Sequence, residues 1–405
     1  MKILLITWAC DRDDVSEPRI AYLWVREIAK RHDVVLFSVS RPDRFGCVKE
    51  QFPDIPVIEW CDIRVPEKLE RFRAIAKPGY FLYFRKARKL IKQLIQENTF
   101  DIIHHLNPFA WRYPSPAGGL GPPLVRGPLA GGLPTPESFR SEVHEIFHPY
   151  KFLRITDNWR KKHDRTLNIS YRRTDCVLVA APYVAELLKP LPVRRFEIEI
   201  EHGVDTFPDQ ESAKRPRTKQ GKIQLLFVGR VIRTKGVQDA IRAVSYMETK
   251  HLVSFTIIGD GDDLKQCRIL IEKLQLNETI RCRGWCDNEQ VEQAYSNADI
   301  FVFPSFREPT GGVLLEAMSH GLPCVTCDYG GPAYMVSDAC GLKIPPDESD
   351  EYAKRIAAGL DLLVENDELR QKMGQAALLH ASLHFNWERK MTRLDAIYRS
   401  LIVKG

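Results

Sequence analysis

Short apolar runs alternate with amphipathic segments along most of this chain. Near the start, the runs KILLITW, DVVLFSVS and FDIIHHL are bounded by charged or turn-forming residues, as buried strands usually are. Between the first two runs, RIAYLWVREIAKRH carries apolar residues at the spacing of a helix. Because parallel strands are joined by crossover helices, this alternation predicts an α/β fold with parallel sheets.

The alternation is interrupted once and then restarts. The segment TFPDQESAKRPRTKQGK is polar and aperiodic and holds two prolines, which predicts a linker over residues 206–222. After it, the runs IQLLFVG, LVSFTIIG, TIRCRG, DIFVFPS and PCVTCD repeat the strand pattern. A chain of 405 residues is too long for one ordinary core. We therefore expect two tandem Rossmann-like domains whose parallel sheets face a central cleft. The predicted boundaries are 1–205, 206–387 and a C-terminal helix, 388–405, that packs back toward the first domain.

The composition is that of a soluble globular protein, with 44% hydrophobic and 28% charged residues. The first apolar run is short and DRDD follows it, so we interpret it as a strand and expect a cytoplasmic protein. Ten scattered cysteines fit that compartment. The pairs Cys324/Cys327 and Cys282/Cys286 have ligand-like spacing, but buried thiols within strands are the favoured interpretation.

Basic residues are concentrated in the N-terminal half. Residues 1–205 hold 33 Lys and Arg against 26 Asp and Glu, which indicates an anionic partner or a solvated basic surface. The helix YFLYFRKARKLIKQLI has an apolar face, which is formed by Phe84, Leu90, Ile91, Leu94 and Ile95. That face either packs on the sheet or lies on an anionic membrane. RFRAIAK and RKKHDR are further basic clusters. No nucleic-acid-binding module is evident, so nucleic acid is not an expected partner.

Two glutamates flank a glycine turn in the stretch SFREPTGGVLLEAMSHG. Glu308 is predicted on a loop after a buried strand, and Glu316 about one turn inside a helix that begins at Gly312 or Val313. The N–H groups at Gly311 and Gly312 would face a phosphate, while the carboxylates would accept hydrogen bonds from sugar and ribose hydroxyls. The alternative is that a glutamate near a helix start merely stabilises the helix.

A second loop, GRVIRTKG, follows the first strand of the second half. It begins at Gly229, and Arg230 and Lys235 are its candidate functional cations. Two cations at the carboxyl end of a strand can neutralise a diphosphate and stabilise it as a leaving group. The alternative is a solvated basic loop.

Two other polar groups have competing interpretations. His104 and His105 end a predicted strand, so either could contact the reacting centre, or both could be hydrogen-bonded structural residues. The sequence GDGDD resembles a paired-carboxylate metal motif, but it directly precedes a helix, where aspartate is a preferred N-cap. We expect capping and no bound metal.

Taken together, these motifs resemble the retaining family-4 glycosyltransferases of GT-B fold. The resemblance rests on the Glu308/Glu316 spacing, the loop from Gly229 to Gly236, and the stretches EHGVDT, IIGDGDD, ADIFVFPS and FNWERKM. It covers nearly all of the second half and, more loosely, the first half.

The resemblance implies a nucleotide-diphosphate sugar as donor and a saccharide or lipid-linked acceptor bound by the N-terminal domain. Glu308 would hold the transferred sugar and Glu316 the ribose. Arg230, Lys235 and the N–H groups from Gly311 to Val313 would hold the diphosphate, and Trp285 would lie at the base. The implied activity is a metal-independent, retaining hexosyl transfer in polysaccharide, lipopolysaccharide or glycolipid biosynthesis, with no cofactor besides the donor. The implied location is the cytoplasm or the inner face of the membrane.

Some features depart from the family pattern. CDRDDVSEPRI replaces a Gly-Gly loop, and Arg126-Gly127-Pro128 stands where many members have a histidine. A nucleotide-sugar epimerase or a phosphorylase of the same fold, and an inactive nucleotide-sugar-binding partner, are the alternative functions. Release of nucleoside diphosphate in the presence of an acceptor would separate a transferase from all of them.

Overall fold

The computed structural model describes residues 1–14, 16–40, 47–61, 79–143, 156–205, 207 and 221–403. The chain divides into two compact units. Unit 1 comprises Met1–Gly132, Glu145–Glu201 and Lys390–Gly405, and unit 2 comprises Leu133–His144 and His202–Arg389. Each unit is built around its own parallel sheet.

Unit 1 contains a seven-stranded sheet with the order β3-β2-β1-β4-β5-β6-β7. Its strands are β1 Lys2–Thr7, β2 Asp33–Ser40, β3 Val57–Cys61, β4 Ile102–His105, β5 Leu124–Leu129, β6 Cys176–Val179 and β7 Phe196–Ile198. Its helices are α1 Glu17–Ala29, α2 Val48–Gln51, α3 Tyr80–Glu97, α4 Asp157–His163, α5 Arg165–Arg172 and α6 Pro182–Leu188. All paired strands run parallel.

Unit 2 contains a six-stranded parallel sheet with the order β10-β9-β8-β11-β12-β13. Its strands are β8 Ile223–Val228, β9 Val253–Ile258, β10 Ile280–Gly284, β11 Ile300–Phe303, β12 Cys324–Cys327 and β13 Gly341–Ile344. Its helices are α7 Val237–Tyr246, α8 Leu264–Lys273, α9 Asn288–Asn297, α10 Gly312–Ser319, α11 Gly330–Met335, α12 Ser349–Glu365 and α13 Asp367–His384. The last helix, α14, runs from Trp387 to Ile402.

The inner strands of both sheets are mostly buried, as strands covered by helices on both faces must be. Every residue of β4, β6, β11 and β12 is buried. The predicted doubly wound α/β fold is therefore confirmed in each unit. Sequence analysis missed two edge strands, β3 and β13. Strand β3 is only partly buried and the two middle residues of β13 are only half-buried, so the apolar pattern of both strands is weak.

The observed units differ from the predicted domain boundaries. Leu133–His144, which the sequence assigned to the first domain, belongs to unit 2, and so do residues 202–205. The side chains of the first segment explain this, because Phe139 stacks on Phe306 with ring centroids 4.2 Å apart. Most of the predicted linker lies outside the described residues.

The C-terminal residues from Lys390 onward belong to unit 1. The Lys390 ammonium is fully buried and lies 2.5 Å from the Glu199 carboxylate. It also donates to the backbone carbonyl of Ile200 at 2.5 Å and lies 5.1 Å from the Trp24 ring centroid. A buried lysine needs such partners, because an unpaired charge in the interior is costly.

Helix α3 packs its apolar face on the sheet of unit 1. Tyr83, Ala87 and Ile91 are buried in the core cluster. The five apolar residues that the sequence placed on one face all pack against that core, Ile91 within it and Phe84, Leu90, Leu94 and Ile95 partly buried at its edge. The sheet-packing interpretation of this face is therefore correct. Across the described ranges, no helix is long and apolar enough to cross a membrane.

Candidate active site

The loops that follow β8 and β11 meet at the carboxyl edge of the sheet in unit 2. These strands are neighbours in space although two strand-helix units separate them in sequence, so the chain reverses its direction of winding between them. Ligands of open α/β sheets bind at such a switch point, outside the carboxyl ends of the strands. Lys235 lies in the first of these loops and Glu308 in the second.

The Lys235 ammonium and the Glu308 carboxylate form a direct ion pair. Their side chains are 13% and 11% exposed, so most of the pair is shielded from water. The ammonium also lies 5.5 Å from the centroid of the Phe303 ring. The structure thus brings together one predicted diphosphate-binding cation and the carboxylate predicted to bind the sugar.

Backbone contacts hold these two loops against each other. Ser305 donates a hydrogen bond from its hydroxyl to the carbonyl of Thr234 at 3.0 Å. Gly236 has a φ of 72°, in the left-handed region, and a Cβ at this position would overlap the carbonyl oxygen of Pro304. Glycine at 236 therefore allows the approach that puts Lys235 beside Glu308.

A third loop supports the backbone of Glu308 from the other side. The N–H of Gly331 donates to the carbonyl of Glu308 at 3.0 Å. A Cβ on Gly331 would overlap the backbone of Thr310, so only glycine permits this packing. Sequence analysis did not identify this Gly330-Gly331 turn, since no charged or catalytic side chain marks it.

Helix α10 begins at Gly312, as predicted, and residue 321 after its end is a glycine with a φ of 67°. Gly311 precedes it in a left-handed conformation, with a φ of 96°. The ring of His202 covers Gly312 so closely that a Cβ there would lie 2.7 Å from it. His202 therefore borders the start of the helix, a position that was not predicted from the sequence.

Two of the family-like stretches meet next to His202. The N–H of Trp387 donates to the carbonyl of Val204 at 3.2 Å, and Val204 pairs with Asn386 in an isolated bridge. The Trp387 ring lies directly against Gly203. The stretches EHGVDT and FNWERKM thus pack against each other, and His202 of the first stretch contacts the start of α10.

Glu316 lies on α10 and is exposed, and its Oε2 accepts a hydrogen bond from the hydroxyl of Tyr295 at 2.9 Å. Tyr295 is fully buried on α9. Glu316 is therefore held by a hydrogen bond from the buried Tyr295, a residue that sequence analysis missed.

Arg230 and Trp285 are placed differently from the Lys235–Glu308 pair. The Arg230 side chain is exposed and has no ion pair or hydrogen bond with another residue that the structure describes. Trp285 follows β10 and is 77% exposed. Gly229 directly follows β8 and donates its N–H to the carbonyl of Ile258 at 3.0 Å. The binding of the diphosphate by Arg230 and that of the base by Trp285 therefore stay predictions.

Arg233, in the same loop as Lys235, is a structural cation. Its guanidinium binds Asp239 at 2.5 Å and Glu142 at 2.6 Å. It also lies 5.0 Å from the Phe306 ring centroid. Burial alone would lower the pKa of Arg233, but the two carboxylates outweigh it and raise the pKa above its ordinary value. Arg233 thereby joins the segment around Glu142 to α7. Because two carboxylates already neutralise its charge, we do not assign it to ligand binding.

The two histidines of unit 1 differ in their surroundings. His104 lies 2.6 Å from the Tyr398 hydroxyl through Nδ1 and 2.8 Å from the Gly127 carbonyl through Nε2. Burial lowers its pKa to about 4, so it is neutral near pH 7. Both ring nitrogens of His104 are hydrogen-bonded within the protein, which fits the structural one of its two predicted interpretations.

His105 is also buried, but neither of its ring nitrogens has a hydrogen-bond partner within the described part of the chain. It stands across from Arg126 on the neighbouring strand. Burial lowers the pKa of His105 well below its ordinary value, and the Arg126 charge adds to this effect. Contact of His105 with a reacting centre stays a prediction.

The GDGDD stretch does not cap the following helix through a side chain. Helix α8 begins after Asp263, whose side chain makes no capping hydrogen bond and instead accepts one from Gln238 at 3.0 Å. Asp260 accepts a hydrogen bond from the N–H of Gly261 at 2.7 Å. The expected capping role was therefore wrong, because Asp260 accepts within the turn and Asp263 accepts from a side chain of α7.

The cysteine pairs fit the interpretation of buried thiols for β12. Cys324 and Cys327 are both buried, and burial raises the pKa of Cys327 to about 12. Cys282 and Cys286 are half-buried. Among the described residues, no three His, Cys, Asp or Glu side chains are grouped so that they could hold a metal ion.

Comparison with known proteins gives two family matches that together cover most of the chain. Residues 19–206 match the family described as Glycosyltransferase Family 4, and residues 209–380 match Glycosyl transferases group 1. An uncharacterized glycosyltransferase of Methanocaldococcus jannaschii is 25% identical over 280 residues, which are 65% of this chain and 69% of that protein. Over three further curated relatives, the chain spans only 44 to 47% of their length.

Solved structures share the fold over nearly the whole chain. The lipopolysaccharide outer core galactosyltransferase WaaB, in its apo form, aligns with a TM-score of 0.69 at 16% identity over 99% of this chain and 100% of that one. Anabaena HepE, in complex with UDP and glucose, aligns with a TM-score of 0.63 at 18% identity over 99% of this chain and 100% of that one. The two family matches, over residues 19–206 and 209–380, show that the chain belongs to the family-4 glycosyltransferases, and the alignments show that it has the GT-B fold.

Proposed function

We propose that this protein transfers a hexosyl group from a nucleotide-diphosphate sugar to a saccharide or lipid-linked acceptor, with retention of the anomeric configuration and without a metal ion. The observation that carries the proposal is the Lys235–Glu308 pair at the switch point of the sheet in unit 2. It combines a cation suited to phosphate with a carboxylate suited to sugar hydroxyls. As a pair the two charges contribute little net stability, since the attraction between buried charges roughly offsets the cost of desolvating them.

In this proposal the donor separates the two partners. Its diphosphate replaces Glu308 as the anion beside Lys235, and the sugar hydroxyls replace Lys235 as donors to Glu308. The site therefore exchanges one internal pairing for two external ones, an ion pair between Lys235 and the diphosphate and hydrogen bonds from the sugar hydroxyls to Glu308. As the bond to the sugar breaks, negative charge grows on the departing diphosphate, and Lys235 stabilises that charge in a mostly water-shielded setting.

Arg230 and Trp285 would complete the donor site from its exposed side. The free guanidinium of Arg230 can reach an outer phosphate oxygen, and the exposed Trp285 ring offers a face for the base. HepE, which shares the fold, was solved with UDP and glucose, and this supports a nucleotide sugar as donor. We assign Glu316 to the ribose hydroxyls and the N–H groups from Gly311 to Val313 to the diphosphate.

We place the acceptor on unit 1 and infer that it is anionic or carried by a membrane lipid. The N-terminal half holds the excess of basic residues. The outer side of α3 exposes Arg85, Lys86, Lys89 and Lys92. Beside them, Phe81 and Leu82 are 59% and 52% exposed. Cations with neighbouring apolar side chains suit the surface of an anionic bilayer. The related fold of WaaB, a lipopolysaccharide galactosyltransferase by its description, favours a glycan of the cell envelope.

Removal of either proposed phosphate-binding cation should slow turnover. We expect Arg230→Ala and Lys235→Met each to lower kcat by about 10²-fold, since each removes stabilisation of the leaving diphosphate. Nucleoside diphosphate release in the presence of acceptor measures this. Arg268→Ala, which removes an exposed arginine from α8 in the same unit, is the control and should leave kcat unchanged.

Because Lys235→Met leaves the Glu308 carboxylate without its partner, loss of stability must be separated from loss of chemistry. The double variant Lys235→Met/Glu308→Gln removes both charges and should melt closer to the parent than Lys235→Met does. It should still be inactive. Parent-like turnover by Lys235→Met with an intact fold would contradict the assignment.

The stereochemistry and the absence of a metal requirement can be tested together. Activity should be the same with and without a chelator, because protein cations neutralise the diphosphate. NMR of the product should show the anomeric configuration of the donor. An inverted linkage would refute retention, and chelator-sensitive activity that is restored by a divalent cation would refute metal independence.

Membrane association should depend on salt and on α3. We expect the parent to sediment with vesicles that contain anionic lipid at low salt and to dissociate at high salt, since each basic residue near the surface contributes about 1 kcal/mol. Lys86→Glu/Lys89→Glu should weaken this binding. Lys265→Glu/Lys273→Glu on α8 is the matched charge control. No binding of the parent at low salt would exclude a membrane contact and leave a soluble acceptor.

A further inference from the structure

Tyr295 joins two elements of the candidate active site without being exposed itself. Its hydroxyl lies 2.9 Å from Oε2 of Glu316 and 3.4 Å from the backbone carbonyl of Val313. Both acceptors belong to α10, which begins at the glycine turn. The phenol has only one proton, and the shorter contact to a carboxylate is the stronger of the two.

The hydroxyl of Tyr295 acts as a donor under all ordinary conditions. Burial raises the pKa of Tyr295 well above its usual value, and the negative charge of Glu316 raises it further. A phenol that keeps its proton always presents an O–H to the carboxylate. The contact therefore persists as long as Glu316 carries its charge.

The Tyr295 ring is fixed in place by its own surroundings. It is fully buried, stacks on His320 at a centroid distance of 5.3 Å and packs against Phe301 at 5.7 Å. Its helix, α9, starts with a capping box between Asp287 and Gln290, which secures the helix end. The hydroxyl is thus held by the core of unit 2, whereas the carboxylate that it contacts is exposed.

An exposed glutamate would otherwise sample several rotamers, because its side chain has three rotatable bonds. A hydrogen bond from a rigid donor selects the rotamers that keep Oε2 over Tyr295. This selection also orients the plane of the carboxylate, and with it the direction of the other oxygen. The fold has then already restricted the Glu316 side chain, so a ligand that binds the carboxylate loses less side-chain conformational entropy on binding.

We propose that Tyr295 is a positioning residue for the donor, which preorganises the Glu316 carboxylate to bind the ribose hydroxyls of the nucleotide through its core-anchored hydrogen bond. This inference rests on the proposed function, because it takes Glu316 as the group that binds the ribose. It adds a residue that does not touch the donor and that acts only through Glu316. Its effect should therefore disappear whenever the ribose hydroxyls or the Glu316 side chain are absent.

The test uses binding of nucleoside diphosphates to the full-length protein, measured by calorimetry. UDP, GDP and ADP are titrated into the parent, and the one that binds is compared with its 2′,3′-dideoxy form. For Tyr295→Phe, we expect the affinity for the normal nucleotide to fall about tenfold, within the range for a hydrogen bond to a charged group. The affinity for the dideoxy form should not change.

Two further variants separate positioning from a general packing effect. Glu316→Ala and Tyr295→Phe/Glu316→Ala should bind the normal nucleotide equally, because alanine leaves no side-chain acceptor for the tyrosine to position. Tyr352→Phe removes another buried phenol of unit 2, one that donates to the Pro304 carbonyl at 3.3 Å. It should bind both nucleotides as the parent does.

The outcomes distinguish this inference from the proposed function. If Tyr295→Phe weakens both nucleotides equally, or neither, the positioning role is overturned while the donor site stands. If the parent binds none of UDP, GDP and ADP, the proposed function fails and this inference fails with it. Loss for the normal nucleotide alone, with an unchanged melting temperature, supports the positioning role.

Discussion

The contact between Lys235 and Glu308 is the interaction on which the candidate site depends. It is made where the direction of winding reverses in the six-stranded sheet, and each partner lies in a loop that follows a buried strand. Backbone packing at Gly236 and Gly331 leaves the two loops little freedom to separate. A mostly buried pair of opposite charges is close to neutral for stability but costly to break on one side. A ligand that carries an anion next to hydroxyl groups could therefore replace this contact, because it offers a new partner to Lys235 and to Glu308 at the same time.

The parts of the site differ in how far the fold fixes them. Lys235 and Glu308 hold each other, and Glu316 is held by the buried Tyr295. Arg230 and Trp285, by contrast, extend from the surface of unit 2. This division places the fixed groups where the chemistry and the ribose would lie, and the adaptable ones at the outer phosphate and the base. In unit 1, both ring nitrogens of His104 are hydrogen-bonded within the fold. Among the described residues, both ring nitrogens of His105 and the Nε and Nη1 atoms of Arg126 have no hydrogen-bond partner, whereas Nη2 of Arg126 donates to backbone carbonyls.

Most of the fold and part of the site could be predicted from the sequence. Buried parallel strands are apolar throughout, so β1, β2, β8 and β11 were clear, whereas β3 is half-exposed and gave no signal. The turn at Gly311, the start of α10 and the loop position of Glu308 follow from local rules for glycine and helices. The contact between Tyr295 and Glu316 could not be predicted, because it spans 21 residues and depends on how two helices pack. For the same reason, the sequence could not show that Arg233 is neutralised by Asp239 and Glu142.

If a nucleotide sugar replaces the internal pairing of Lys235 with Glu308, thermal unfolding with a panel of nucleotide sugars should detect the exchange. A ligand at 100 times its Kd stabilises the folded state by about 2.7 kcal/mol, which raises the melting temperature of a domain this size by several degrees. We expect at least one nucleotide sugar to raise the melting temperature of the parent and to leave that of Lys235→Met/Glu308→Gln unchanged. Equal stabilisation of the parent and the double variant, or no stabilisation of the parent by any nucleotide sugar at millimolar concentration, would contradict it.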